Sequence, residues 1–194
     1  MPSESLSLPV KPALPDVLLQ GRRREFNIEY LTSSSTHADP TSDAERQLLC
    51  WVVPPWQRPE VWSDQQKARF IEGIFLGLGT GYYVVNEPDW DEGGSKPMSG
   101  WLINGQQRLT AIRDFTAGRV EIFGGLRYDD LSRVDRMKRF AHVVFPCIEI
   151  DYQADESRLR ELYDRLNFGG TAHTPADREH FLETAPMPAR PSSR

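Results

Sequence analysis

The sequence predicts an α+β fold. Short apolar runs of strand type alternate irregularly with longer segments of helical period, without the strict β-α-β order that a doubly wound parallel sheet requires. A length of 194 residues suits one domain with flanking tails. An apolar content of 39% and a charged content of 26% are those of a globular chain.

Residues 1–25 are expected to form a flexible arm, rich in Pro, Ser and Leu and ending in the basic cluster Arg22-Arg23-Arg24. The ordered domain is expected over residues 26–184 and a disordered tail over 185–194. Its first element is either Phe26-Asn27-Ile28 or a helix near residues 43–49, with a loop at 32–36 between them. Cys50-Trp51-Val52-Val53 reads as a strand stopped by Pro54-Pro55.

Ser63 with Gln66 three residues later has the capping-box pattern of a helix start. Phe70, Ile71, Ile74, Phe75 and Leu78 share one face of that helix, and Gly77, Gly79 and Gly81 end it. These glycines close a helix and lead into a strand, the reverse of a dinucleotide-binding loop, so they read as a flexible turn. Tyr82-Tyr83-Val84-Val85 and Trp101-Leu102-Ile103 read as the two strands of a long-looped hairpin.

A helix is expected from about Gln106 to Thr116, with Gly118 beyond its end, and a short strand at 120–123. Residues 130–139 have an amphipathic helical pattern. Residues 143–150 read as a strand that Pro146 places at an edge or a bulge. Leu159, Leu162, Tyr163 and Leu166 form a helical stripe. Thr174-Pro175 is expected to open a last helix.

Composition narrows the function. A net charge of −5 argues against a DNA-binding module built on a broad basic surface, though it leaves room for a local groove. Cys50 and Cys147 lack metal-type spacing and read as buried thiols of a reducing compartment. The four histidines, including His173 and His180 beside Glu179 and Glu183, match no common metal motif. No apolar run is long enough to cross a membrane and no export signal is visible, so a cytoplasmic location is expected. Neither a P-loop nor a His-Asn-His nuclease segment occurs, so a nuclease, if one is needed, is expected on another chain.

The most informative stretch is Gly100-Trp101-Leu102-Ile103-Asn104-Gly105-Gln106-Gln107-Arg108-Leu109-Thr110. A strand, a glycine turn and a helix start leave backbone N–H groups facing outward at the positive end of the helix dipole, which suits an anion such as phosphate. Arg108, one turn in, adds a two-pronged cation. Gln106 and Gln107 supply amides that suit a phosphate or base oxygen. Upstream, Gln57 and Arg58 follow two prolines that hold the chain extended. Arg58 either joins Arg108 in one cleft or packs over Trp56 or Trp62. Thr110 is either an ordinary helix residue or a hydroxyl near a bound metal.

Val53-Pro54-Pro55-Trp56-Gln57-Arg58-Pro59-Glu60-Val61-Trp62, followed by Asn104-Gly105-Gln106-Gln107-Arg108-Leu109-Thr110, resembles the N-terminal domain family of GmrSD-type restriction endonucleases. Leu166-Asn167-Phe168-Gly169-Gly170-Thr171 is similar, more loosely, to that family's later segment, and the resemblance runs from about Leu49 to Leu182. It implies a single ParB/sulfiredoxin-like domain with a small mixed sheet and surrounding helices. It also implies a nucleotide-hydrolysing role in systems that attack foreign DNA. On that basis Gly105, Arg108, Gln57, Arg58 and Thr110 are expected to hold a nucleoside triphosphate, with magnesium as a candidate companion and no metal ligand assigned. Asn104, Gln106 and Gln107 are the candidate catalytic groups.

Asn104 stands where the family has Asp, and an amide cannot take a proton, which makes binding easier to defend than catalysis. Activation of water would then fall to Glu72 or to a metal. Two other readings remain. One is a non-catalytic phage or mobile-element module that binds a partner protein or DNA. The weaker one is a ParB-like nuclease, for which neither a basic surface nor a carboxylate cluster is evident.

Overall fold

The computed structural model describes residues 14–33 and 36–168. A four-stranded mixed sheet lies at its centre in the order β1-β8-β4-β7, built from β1 (Gly21–Asn27), β4 (Tyr83–Asn86), β7 (Leu102–Asn104) and β8 (Val144–Ile150). β8 runs antiparallel to β1 and parallel to β4, and β4 runs antiparallel to β7. A small hairpin of β2 (Arg46–Leu48) and β3 (Trp51–Val53) adjoins the sheet through a parallel bridge from Val52 to Trp101. A second small hairpin, β5 (Trp90–Asp91) and β6 (Gly94–Ser95), lies in the loop from β4 to β7.

Five helices accompany these strands among the described residues: α1 (Ile28–Thr32), α2 (Asp64–Phe75), α3 (Gln106–Thr116), α4 (Arg133–Arg136) and α5 (Glu156–Phe168). The central strand β4 is buried at every position, and its side chains divide between two layers. Tyr83 and Val85 join a cluster with Ile71 and Ile74 of α2 and Leu109, Ile112 and Phe115 of α3. Val84 joins Leu159, Leu162 and Tyr163 of α5. Leu102 and Ile103 of β7 divide in the same way. The period of two along a strand sends alternate residues to opposite faces, so α2 and α3 cover one face and α5 the other.

Several elements follow their sequence signals. Ser63 Oγ accepts from Gln66 N at 3.3 Å and Gln66 Oε1 accepts from Ser63 N at 2.9 Å, completing the capping box of α2. Ile71, Ile74 and Phe75 are buried on that helix, whereas Leu78 lies past its end and is exposed. α3 spans Gln106–Thr116 with Gly118 beyond it.

Others differ. Residues 21–25, expected in the arm, lie in β1, which pairs with β8 along its whole length. Residues 46–48 form a strand in place of a helix. Leu49 adopts a left-handed φ of 54° that turns the chain sharply into β3, and only Leu48 of β2 is buried. Residues 120–123 form no strand. Val120 and Ile122 are buried, but positive φ angles at Phe123, Gly124 and Gly125 close a tight turn that leaves only an Ile122–Leu126 bridge.

The amphipathic segment at 130–139 is divided into a 3-10 turn (Tyr128–Asp130), α4 and a π-helical stretch (Met137–Ala141) that buries Phe140. Pro146 sits in an interior strand, not at an edge. It pairs with Glu25 of β1, and pairing with β4 begins only at Cys147. The helix expected near Thr174 and the tail lie outside the described residues.

Candidate anion-binding site

The β4–β7 hairpin delivers Asn104 to the end of the sheet, and Gly105 turns the chain into α3 with φ 106° and ψ 2°. A Cβ at position 105 would come within 2.6 Å of Tyr83 Cβ, so the left-handed turn and the close approach both require glycine. No side-chain hydrogen bond caps α3, so its first amides have no side-chain acceptor among the described residues.

A cavity of about 260 Å³ opens at this helix end. Gln57, Arg58, Asn104, Gly105, Gln106, Gln107 and Arg108 all line it, so two segments nearly fifty residues apart meet in one place. Thr110 does not. It is fully buried one turn further along α3, with its Oγ1 unpartnered, and does not line the cavity.

Arg108 is half-buried. Its Nη2 donates to Asn104 Oδ1 at 3.1 Å, and its guanidinium carbon lies 5.8 Å from the Phe145 ring centroid. Among the described residues no carboxylate pairs with it. Burial pushes its pKa below the ordinary arginine value, while the Tyr82 phenol acts weakly the other way. A Cβ on Gly81 would collide with Nη1, and Gly81 has a φ of 70°. The glycine that reads as a flexible turn therefore also makes room for this guanidinium.

The three glutamines differ in role. Gln106 is 6% exposed and its Nε2 has no hydrogen-bond partner. Gln107, also 6% exposed, has both ends engaged. Its Oε1 accepts from Val61 N at 3.0 Å and Trp62 N at 3.1 Å, and its Nε2 donates to Pro59 O at 3.2 Å. Gln57 Nε2 donates to the carbonyl oxygens of Leu102 and Ile103. Both side chains line the cavity, Gln107 bonded at both its ends and Gln57 at its Nε2 to backbone groups of the protein.

Among the described residues no carboxylate lines the cavity. Glu72, the alternative base, accepts from Phe123 N at 2.7 Å and is not among the lining residues. Among the described residues no group of three or more His, Cys, Asp or Glu could hold a metal ion. Trp62, Tyr163 and Asn167 also line the cavity. Asn167 had a weak signal in the loose downstream resemblance, whereas Tyr163 belongs to a helical stripe that reads as core.

These features define an α+β domain in which a glycine turn and a proline-led segment enclose one arginine-bearing cavity. The family described as GmrSD restriction endonuclease, N-terminal domain, matches residues 41–139, and the chain belongs to that family. The matched span holds both cavity-forming segments and ends before Asn167. No curated protein and no solved structure matches the chain. Among the described residues no helix is long and apolar enough to cross a membrane.

Proposed function

We propose that the cavity holds the phosphates of a nucleoside triphosphate and that the domain is the nucleotide-binding part of a modification-dependent restriction system. Gln106 carries this reading. Its Nε2 is buried and unpartnered, and the residue lines the cavity with Arg108 at a helix start that no side chain caps. A buried donor without a partner costs about 1–3 kcal/mol, and a bound phosphate oxygen would remove that cost. The cavity is slightly smaller than the roughly 300–1,000 Å³ of pockets that enclose a drug-sized ligand, so it suits the phosphate chain, with sugar and base toward the rim near Trp62.

Asn104 Oδ1 already accepts from Arg108 and no carboxylate among the described residues lines the cavity, so these residues do not make a magnesium site and no step of this reading uses one. Without a proton acceptor, turnover is slow. Its nuclease partner, in this reading, is a separate chain acting on DNA, and the architecture is of the ParB/sulfiredoxin kind.

Equilibrium dialysis of the full chain with labelled ATP and GTP tests the reading. Binding at submillimolar nucleotide is expected, with a loss of at least tenfold in Arg108→Ala. A wild-type protein that binds neither at millimolar concentration sinks it. The second reading, a non-catalytic module for a partner protein or DNA, then stands, and a lining without a carboxylate among the described residues favours it.

A further inference from the structure

The geometry points to Gln107 and Gln57 as positioning residues that lock the Arg58 segment against α3 and β7, so that both arginines face one cavity. This rests on the phosphate reading of the cavity.

Arg58 sits between the two points of attachment. Just before it, Gln57 reaches from the segment to the carbonyl oxygens of β7. Just after it, Gln107 reaches from α3 to the backbone of Pro59, Val61 and Trp62. The stretch between β3 and α2 has no helix or strand of its own, so these cross-links fix a backbone that regular structure does not. A carboxamide accepts and donates at once, and Gln107 uses both abilities here. Glutamate would keep the two accepted bonds and lose the donated one. The bidentate pair from Arg113 to Glu60, at 2.9 Å on both arms, ties the same segment to α3 further along. It is partly exposed, so the buried amide is the stronger constraint. One turn of α3 therefore supplies Arg108 directly and places Arg58 through Gln107.

A double-mutant cycle in the full chain separates this role from a merely structural one. ATP affinity is expected to fall about tenfold in Arg58→Ala and by a similar factor in Gln107→Ala, with Gln107→Ala adding nothing once Arg58 is gone. Equal losses from Gln107→Ala with and without Arg58 overturn the assignment. Hydrogen exchange in the nucleotide-free protein gives a second readout. The Val61 and Trp62 amides are expected to be protected in the wild type, to exchange faster in Gln107→Ala, and to stay protected in Gln107→Glu. Unchanged protection in Gln107→Ala overturns the lock alone, whereas a wild type that binds no ATP overturns the phosphate reading on which it rests.

Discussion

Replacing Asn104 by Asp places a carboxylate where an amide oxygen now accepts from Arg108 Nη2 at 3.1 Å. At that separation two opposite unit charges attract by roughly 5 kcal/mol for an effective dielectric near 20. Solvent and side-chain ordering reduce the net effect for a half-buried pair to about 1.4–2.8 kcal/mol, or ten- to hundredfold in an equilibrium constant. Arg108 would then be neutralised from within the protein. ATP affinity, measured by equilibrium dialysis at fixed ionic strength, is expected to fall by that factor. The new carboxylate also supplies a proton acceptor, so phosphate release per bound nucleotide at saturating ATP is expected to rise. Unchanged affinity with an intact melting curve refutes the placement of the anion at Arg108. Unchanged turnover refutes the proton-transfer role of position 104.

Two further substitutions probe the surroundings. Thr110→Val removes an unpartnered buried hydroxyl. Urea unfolding is expected to show equal stability or a gain of about 1 kcal/mol, and ATP affinity should not change; a tenfold loss of affinity would return Thr110 to the site. Asp114 is 4% exposed and accepts from Lys67 Nζ at 2.6 Å, Arg119 Nη2 at 2.6 Å and Arg113 Nε at 2.9 Å. Burial works to raise its pKa, and the three cations outweigh it, holding the carboxyl below its ordinary value of 3.8. A depressed folded pKa gives stability that is complete above 3.8 and is lost as pH falls through the folded value. Asp114→Asn is expected to cost about 2 kcal/mol at neutral pH, and the gap between the two proteins should narrow as the pH drops below that value. A gap that does not vary with pH counts against the ion cluster.

The parts of the fold that were legible in the sequence are those set by local chemistry. Ser63 and Gln66 are three residues apart, and they bond to each other. Gly105 and Gly118 bracket α3 because each stands in a left-handed conformation at a helix boundary. What could not be read depends on distant partners. β1 is a strand because β8 lies beside it, as the ion pair of Arg24 with Glu149 illustrates. The site divides in the same way. The turn, the helix start and Arg108 follow from adjacent residues. Whether a glutamine faces a ligand or the protein's own backbone depends on contacts across about 45 residues, as with Gln57 to Leu102 and Gln107 to Trp62. Sequence adjacency makes Gln106 and Gln107 look alike, and only the packing of residues 59–62 distinguishes them.

The lining of the cavity, among the described residues, holds two guanidinium groups and no imidazole, carboxylate, thiol or primary amine. Ionic strength, which screens both guanidinium groups at once, is the condition to which such a pocket responds.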